Sequence, residues 1–280
     1  MAIEPTLERQ YNVRAAIPEH PSVFEAWKAR SAAFRMRADG VLDVAYGPSA
    51  AETLDLFPAG NPGAPLHLFI HGGYWQSLDK ADCSFVAEAL VEAGITVAVV
   101  NYALCPAVTI DDIVSQIRRA LLWLWRHADD YDADAARIQV CGHSAGGHLV
   151  GMLMATGWPG LEAGAPPRLI HSGIAVSGLF DLTPLCHTTI NEKVGMDGKT
   201  ARRLSPVFLE PAVRESPLLL AVGGLESDGF HAQSDEMAAA WREKGVAVER
   251  LTLTGRHHLS AVEALADPAT DLFRRAVALA

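Results

Sequence analysis

Residues 138–150 read Ile-Gln-Val-Cys-Gly-His-Ser-Ala-Gly-Gly-His-Leu-Val, and their pattern indicates the fold class. An apolar run ends at Cys141, the pentapeptide Gly-His-Ser-Ala-Gly occupies 142–146, and an apolar segment of helical character follows. Between a strand and a helix, a Gly-x-Ser-x-Gly pentapeptide makes a sharp turn that holds its serine in a strained backbone conformation. Glycines on both sides leave room where a Cβ would meet neighbouring backbone. We therefore predict that the Ser144 hydroxyl stands above the carboxyl end of a buried strand.

Apolar runs and helical segments alternate along the rest of the chain. The predicted strands are Leu66–Ile70, Ile95–Asn101, Arg137–Cys141, Leu169–Val176, Leu218–Val222 and Val246–Thr252. The predicted helices are Asp79–Ala93, Ile110–Ala128, Gly146–Ala155, Ser234–Glu243 and Asp267–Leu279. Strands without polar alternation that are separated by helices indicate right-handed crossovers and a mostly parallel sheet.

The resulting expectation is an α/β protein: a doubly wound, mostly parallel sheet with helices on both faces, in one domain over residues 1–280. Two extended segments before Pro65 should add an antiparallel pair at one edge of the sheet. Residues 1–40 have a polar, helical pattern. We expect them to form either a rim or lid over the functional site, or plain packing at the sheet edge.

Composition narrows the classes of function. Half of the 280 residues are hydrophobic and 20% are charged, so the chain can bury a sizeable core without metal or disulfides. The net charge of −10 comes without any basic run, which argues against nucleic acid or an anionic membrane as a partner. We expect a small-molecule substrate, no cofactor and no metal site; the sequence does not reveal the oligomeric state.

Cellular location is predicted from the cysteines and from hydropathy. The four cysteines are widely spaced, the first ten residues are polar, and no uncharged apolar stretch reaches the length of a membrane span. A cytoplasmic location is therefore the expectation.

A second motif, His71-Gly72-Gly73-Tyr74-Trp75, directly follows the strand predicted at Leu66–Ile70. Hydrolysis of an acyl bond puts negative charge on the former carbonyl oxygen, and two backbone N–H groups must already point at it. In esterases of the α/β-hydrolase fold a loop of this type supplies one donor, and the residue after the nucleophile supplies the other. In this sequence the loop donor would be the N–H of Gly72 or Gly73, and the donor after the nucleophile would be the N–H of Ala145. The two motifs occur in the chain order of that fold, so we expect the α/β-hydrolase fold here.

The general base should be a histidine after the last strand, because chain order in this fold is serine, acid, histidine. His257 and His258 both lie there, and the residues alone leave both open. We expect His71, His143 and His148 to have structural or supporting roles.

The acid should follow the strand Leu218–Val222, where the sequence offers Glu226 and Asp228. It must hold the imidazole in one tautomer and stabilise the imidazolium. Position alone does not separate the two carboxylates. Asp181 lies earlier in the chain and is expected to anchor a loop.

With these residues placed, the chain resembles the serine-hydrolase type of kynurenine formamidase (arylformamidase). The resemblance rests on the loop that begins at Phe69, the turn around Ser144, the Ser177-Gly-Leu-Phe-Asp-Leu-Thr-Pro segment, and the segment that begins at Gly224. The resemblance extends from about residue 65 to the C-terminus. The chain also resembles neighbouring esterases of uncertain substrate.

The resemblance implies Ser144 as nucleophile, Glu226 as acid and His258 as base, with Asp228 as the alternative acid. It places Gly72, Gly73 and Ala145 at the oxyanion hole. The family carries Asp at the position of Glu226 and an aromatic residue at that of Leu259, so the match is incomplete there.

The implied activity is hydrolysis of an aryl formamide, N-formylkynurenine, in tryptophan catabolism, with Tyr74 and Trp75 as candidates for the substrate wall or as ordinary core aromatics. Two alternatives remain open: a carboxylesterase for small aryl or alkyl esters, and an inactive hydrolase-fold protein that only binds.

Overall fold

A computed structural model describes residues 2–280 and places eight strands of that range in one sheet. The strands are β1 (Val41–Ala45), β2 (Thr53–Phe57), β3 (Ala64–Ile70), β4 (Thr96–Val100), β5 (Ala133–His143), β6 (Ser172–Val176), β7 (Leu218–Gly223) and β8 (Val248–Leu253). Their order in the sheet is β1-β2-β4-β3-β5-β6-β7-β8.

The strand directions agree with the sequence prediction. The pairs β1/β2 and β2/β4 are antiparallel, and every other neighbouring pair is parallel. Strands β4, β6 and β7 are buried along their whole length, as expected of apolar runs covered by helices on both faces. The doubly wound, mostly parallel sheet with an antiparallel edge is thus confirmed.

The helices connect these strands and also precede them. Within residues 2–280 they are α1 (Pro5–Tyr11), α2 (Val13–Ala16), α3 (His20–Arg37), α4 (Lys80–Cys83), α5 (Ala87–Glu92), α6 (Ile110–His127), α7 (Ala145–Met154), α8 (Asn191–Val194), α9 (Gly198–Arg203), α10 (Asp228–Glu243), α11 (His258–Glu263) and α12 (Asp271–Ala278). Short 3₁₀ turns occur at Ser84–Val86, Ala128–Tyr131, Trp158–Gly160, Thr183–His187, Pro206–Phe208 and Ala264–Ala266.

Three predicted helices differ from the observed ones, and one of them, predicted over Asp267–Leu279, begins only at Asp271. The segment predicted as one helix over Asp79–Ala93 is divided by a 3₁₀ turn, where the Ser84 hydroxyl donates to the Lys80 carbonyl oxygen at 3.0 Å. Helix α10 begins at Asp228 rather than at Ser234. The Asp228 carboxylate in the first turn interacts favourably with the helix dipole, and the Gly229 N–H donates to Gln10 Oε1 at 2.7 Å, so a distant segment satisfies one of the N-terminal donors of the helix.

The N-terminal helices pack against the end of the sheet at which the functional loops lie. Trp27 in α3 is buried, and its Nε1 donates to Glu263 Oε1 at 2.8 Å. The Ser31 hydroxyl donates to the Asp82 carbonyl oxygen at 2.9 Å. These contacts join the N-terminal segment to α11 and α4. None of the helices among residues 2–280 combines the length and hydropathy that a bilayer crossing requires.

Candidate active site

Ser144 lies on the sharp turn between β5 and α7. Its backbone has φ 57° and ψ −116°, the strained conformation predicted from the pentapeptide. A Cβ on Gly142 would lie 2.3 Å from the Gly146 carbonyl oxygen, and one on Gly146 would lie 2.0 Å from that of Ile70. Only glycine fits at both positions, so the two flanking glycines allow the turn to pack directly against β3.

His258 forms a buried pair with Glu226. The His258 Nδ1 lies 2.6 Å from Glu226 Oε2, and the side chains are 6% and 0% exposed. The other carboxylate oxygen, Oε1, accepts from the Ser177 hydroxyl at 2.5 Å and from the Gly223 N–H at 2.7 Å. Three donors therefore hold the carboxylate, and its second oxygen fixes the orientation of the imidazole ring.

The charge state of Glu226 follows from the same contacts. Burial by itself raises the pKa of this carboxyl, but the neighbouring His258 and the hydrogen bonds from His258, Ser177 and Gly223 outweigh burial and leave its pKa below the usual value. Glu226 is consequently an anion at neutral pH. An anion beside Nδ1 favours the tautomer with its proton on Nδ1, which leaves Nε2 free to accept a proton.

The rival candidates lie elsewhere. Asp228 is exposed in the first turn of α10. His257 caps α11: its Nδ1 accepts from the Ser260 N–H at 3.2 Å. Asp181 accepts from the Thr183 N–H at 2.8 Å, the loop contact expected of it. The structure thus brings Glu226, rather than Asp228, to His258.

Ser144 and His258 line the same small cavity, of about 30 Å³. Within the described chain no hydrogen bond joins the Ser144 hydroxyl to the imidazole. Such bonds are often long without substrate and shorten in the reacting complex. The His258 ring is fixed from two sides, with ring centroids 4.4 Å from Phe230 and 4.8 Å from His143.

The predicted oxyanion donors surround Ser144. A Cβ on Gly72 would lie 3.0 Å from the Ser144 Cβ, so the Gly72 backbone passes directly beside the nucleophile. Gly73 lines the cavity and has φ +97°. Ala145 is the first residue of α7, where backbone N–H groups have no partner within the helix. Among the hydrogen bonds of residues 2–280, none has the amide of these three residues as its donor. Their role as oxyanion donors stays a prediction.

The two aromatic candidates separate in the structure. Tyr74 lines the cavity, while its hydroxyl donates to the Tyr11 carbonyl oxygen. Trp75 is fully buried and packs edge-on against His148, with ring centroids 5.1 Å apart. It does not line the cavity, which corrects the placement of Trp75 in the substrate wall. Both residues have a left-handed backbone, with φ of 51° at Tyr74 and 58° at Trp75, and their side chains point to different places: that of Tyr74 to the cavity and that of Trp75 into the core.

Several site residues were missed by sequence reasoning. Val13, Phe24 and Trp27 of the N-terminal segment line the cavity with Ser144, so this segment forms part of its wall. Their helical spacing gave no indication of which face meets the site. Ser177 was also missed as a partner of the acid, although its position directly after β6, at the carboxyl end of the sheet, could have indicated it.

The remaining histidines near the site are buried and neutral. Burial, followed by the nearby His258, lowers the pKa of His143 to about 3, and its Nε2 lies 2.9 Å from the His258 carbonyl oxygen. His71 stacks on Tyr102 with ring centroids 4.3 Å apart. These contacts support the loops that carry the site. Residues 2–280 contain no group of three or more side chains arranged to hold a metal ion.

Comparison with known proteins shows which families share this chain's sequence and fold. A family model described as BD-FAE matches residues 54–165. Kynurenine formamidase of Danio rerio is 33% identical over 81% of this chain and 77% of its own length. Esterase LipQ of Mycobacterium tuberculosis is 27% identical over 77% of this chain and 56% of its own length.

A solved structure agrees over nearly the full length. The crystal structure of a candidate thioesterase from Silicibacter sp. TM1040 superposes with a TM-score of 0.85 at 32% identity, covering 99% of each chain.

Proposed function

The chain belongs to the kynurenine formamidase family of α/β hydrolases, and from that premise we propose that it hydrolyses N-formylkynurenine through a formyl-enzyme on Ser144. It is a hydrolase; the proposal concerns its substrate and the role of each residue. The overall reaction takes one water and releases formate and an aryl amine.

In the proposed first step, His258 Nε2 accepts the Ser144 proton while the Ser144 oxygen attacks the formyl carbon. The amides of Gly72 or Gly73 and of Ala145 donate to the oxyanion of the tetrahedral intermediate. His258 then gives its proton to the departing aryl amine as the C–N bond breaks. Water enters, His258 takes its proton, and a second tetrahedral intermediate collapses to release formate and restore the Ser144 hydroxyl.

Glu226 stays ionised throughout this cycle. It holds the proton on His258 Nδ1 and stabilises the imidazolium that forms in each half-reaction. The 2.6 Å hydrogen bond between the two buried side chains, beside the strained Ser144, is the observation that carries the proposal. The two rings that pack against His258, those of Phe230 and the neutral His143, carry no negative charge that could replace this carboxylate.

The size of the cavity supports a small acyl group. A single water needs about 10–15 Å³ of cavity volume. The cavity of about 30 Å³ therefore accommodates two waters or one formyl group. Phe24 and Trp27 line this cavity, which has no room for an aryl ring beside the formyl group, so an aryl leaving group would extend outward past the half-buried Phe24. A long acyl chain would have to displace these side chains.

A carboxylesterase for small aryl or alkyl esters is the second candidate, and the similarity to esterase LipQ favours it. Steady-state kinetics on N-formylkynurenine and on p-nitrophenyl acetate distinguish the two. We expect kcat/KM for the formamide to be at least comparable with that for the ester, although an amide is intrinsically less reactive. Efficient ester turnover with negligible deformylation would refute the formamidase proposal.

Covalent labelling tests whether the protein is a catalyst at all. A fluorophosphonate probe should label the wild type and fail to label Ser144→Ala. Ser115→Ala is the matched control that should keep its label, because Ser115 is an exposed serine of α6 that does not line the cavity. A wild type that takes no label while remaining folded would point instead to an inactive hydrolase-fold protein that only binds ligands.

The proposed substrate places the protein in tryptophan catabolism. We propose a cytoplasmic location, supported by four free, buried cysteines. The substrate is a small molecule, and neither nucleic acid nor a cofactor enters the proposed reaction.

A further inference from the structure

A second cavity, of about 220 Å³, adjoins the cavity over Ser144. Arg14, Gly73 and Tyr74 line both cavities, so they form the boundary between them. The second cavity has a different character from the first. Arg14 and Lys193 line it together with neutral polar side chains such as Gln76, and no carboxylate side chain lines it.

Arg14 connects the two cavities geometrically. Its guanidinium carbon lies 5.9 Å from the centroid of the Phe24 ring, which lines the narrow cavity. On the other side its Nη2 donates to the Ser77 hydroxyl at 2.7 Å, and Ser77 lines the larger cavity. The guanidinium has donors beyond the one that this bond uses. A ligand that reaches from Ser144 into the larger cavity must therefore pass this cation.

The positive charge of the larger cavity is not neutralised by the chain itself. Within residues 2–280, neither Arg14 nor Lys193 takes part in any of the ion pairs. The acid Glu8 contacts the lining: its oxygens accept from the Thr189 N–H at 2.8 Å and from Asn12 Nδ2 at 2.7 Å. Glu8 does not itself line the cavity. It therefore orients two neutral lining residues and leaves the two cations facing the space.

We propose that Arg14 and Lys193 form a carboxylate-binding site that selects substrates with an anionic group on the leaving side. The proposal rests on the proposed function and deepens it, because N-formylkynurenine carries an amino-acid group, with a carboxylate and an ammonium on the same carbon, at the end of a short chain beside the formamide. With the formyl group at Ser144 and the aryl ring extending outward past the half-buried Phe24, that chain enters the larger cavity. The guanidinium and the ammonium then bind the carboxylate through charge-assisted hydrogen bonds.

The test uses substrate pairs that differ only in this charge. One pair is N-formylkynurenine and its carboxamide. The other is 3-(2-acetoxyphenyl)propanoate and its carboxamide, which are aryl esters. The readout is the ratio of kcat/KM for the acid to that for the amide. We expect a ratio of about ten or more for the wild type at low salt, reduced at high salt by screening.

Substitution should remove the preference in steps. Arg14→Gln and Lys193→Gln should each lower the ratio about three- to tenfold, mainly through KM for the acid, and the double variant should bring it near one. Arg14→Lys keeps the charge and should retain part of the ratio. Lys199→Gln is the matched control, since Lys199 is an exposed cation of α9 that lines neither cavity, and it should keep the wild-type ratio.

The outcomes separate this proposal from the proposed function. If the formamides are not hydrolysed but the ester pair shows the charge preference, the carboxylate site stands and the formamidase assignment fails. If N-formylkynurenine is hydrolysed with equal ratios in wild type and double variant, the carboxylate site is refuted and the assignment stands.

Binding gives a readout that does not need turnover. Calorimetry with kynurenine and with its carboxamide should give a Kd at least about tenfold lower for the acid in the wild type, and equal values in the double variant. Equal Kd values for acid and amide in the wild type would overturn the proposal.

Discussion

Replacing Glu226 by glutamine should abolish most activity by forcing the wrong tautomer on His258. The Ser177 hydroxyl and the Gly223 N–H both donate to Oε1, so the glutamine carbonyl oxygen must take that place. Its NH₂ group then occupies the Oε2 position, 2.6 Å from His258 Nδ1, and can only donate. The imidazole must present Nδ1 as an acceptor, which moves its proton to Nε2, the atom that has to accept from Ser144.

The magnitude follows from this loss of the base. The corresponding change in a serine protease lowers kcat by about 10⁴-fold, or about 5 kcal/mol of barrier. We expect a similar loss for Glu226→Gln, with KM little changed because the carboxylate does not line the cavity over Ser144. The assay is kcat on p-nitrophenyl acetate and N-formylkynurenine, with thermal unfolding to establish that the variant is folded.

Asp228→Asn is the matched control, because Asp228 is exposed and offers only a first-turn charge to α10. It should cost at most about 1 kcal/mol of stability and leave kcat within about twofold. The reasoning is refuted if Glu226→Gln keeps more than about a tenth of the wild-type kcat, or if Asp228→Asn loses activity instead.

Three further predictions test the surroundings of the site. Gly146→Ala puts a Cβ 2.0 Å from the Ile70 carbonyl oxygen. We therefore expect the free energy of unfolding to fall by about 1–3 kcal/mol and kcat to fall at least about tenfold. Gly157→Ala is the control, because Gly157 has open space around it, and it should change neither quantity. Ser177→Ala removes one of three donors to the buried carboxylate and should lower kcat roughly tenfold at constant KM, the scale of one charge-assisted hydrogen bond; an unchanged kcat would show that the other two donors suffice. Burial lowers the pKa of His148 from 6.5 to about 4, so the unfolded chain binds an extra proton between these values and stability falls as pH drops below about 6.5. Between pH 7.5 and pH 5, the free energy of unfolding measured with urea should therefore fall by about 2 kcal/mol less in His148→Gln than in the wild type. Equal decreases in the two proteins would contradict a neutral, buried His148.

What the sequence determined is local. The Gly-x-Ser-x-Gly turn at 142–146 requires two glycines because backbone atoms lie within 2.3 Å of the missing Cβ positions, and that requirement is visible in the residue types alone. The alternation of apolar runs and helices likewise predicted the parallel sheet, since burial on both faces leaves a direct signature in hydropathy. The loop at His71–Trp75 could be placed because it follows a predicted strand.

What only the tertiary structure decided lies in contacts between distant segments. Glu226 and His258 are 32 residues apart, and Ser177 and Glu226 are 49 apart. Whether Glu226 or Asp228 faces the imidazole depends on where β7 ends and α10 begins, and a shift of two residues exchanges a buried carboxylate for an exposed one.

The same holds for the walls of the cavity. The docking of α3 against α4 and the Ser84–Val86 turn placed Phe24 and Trp27 beside the cavity. The left-handed backbone at Tyr74 and Trp75 directed one ring to the cavity and the other into the core. Local patterns report which face of an element is buried. They do not report against which partner it is buried, because that depends on how all the elements pack together.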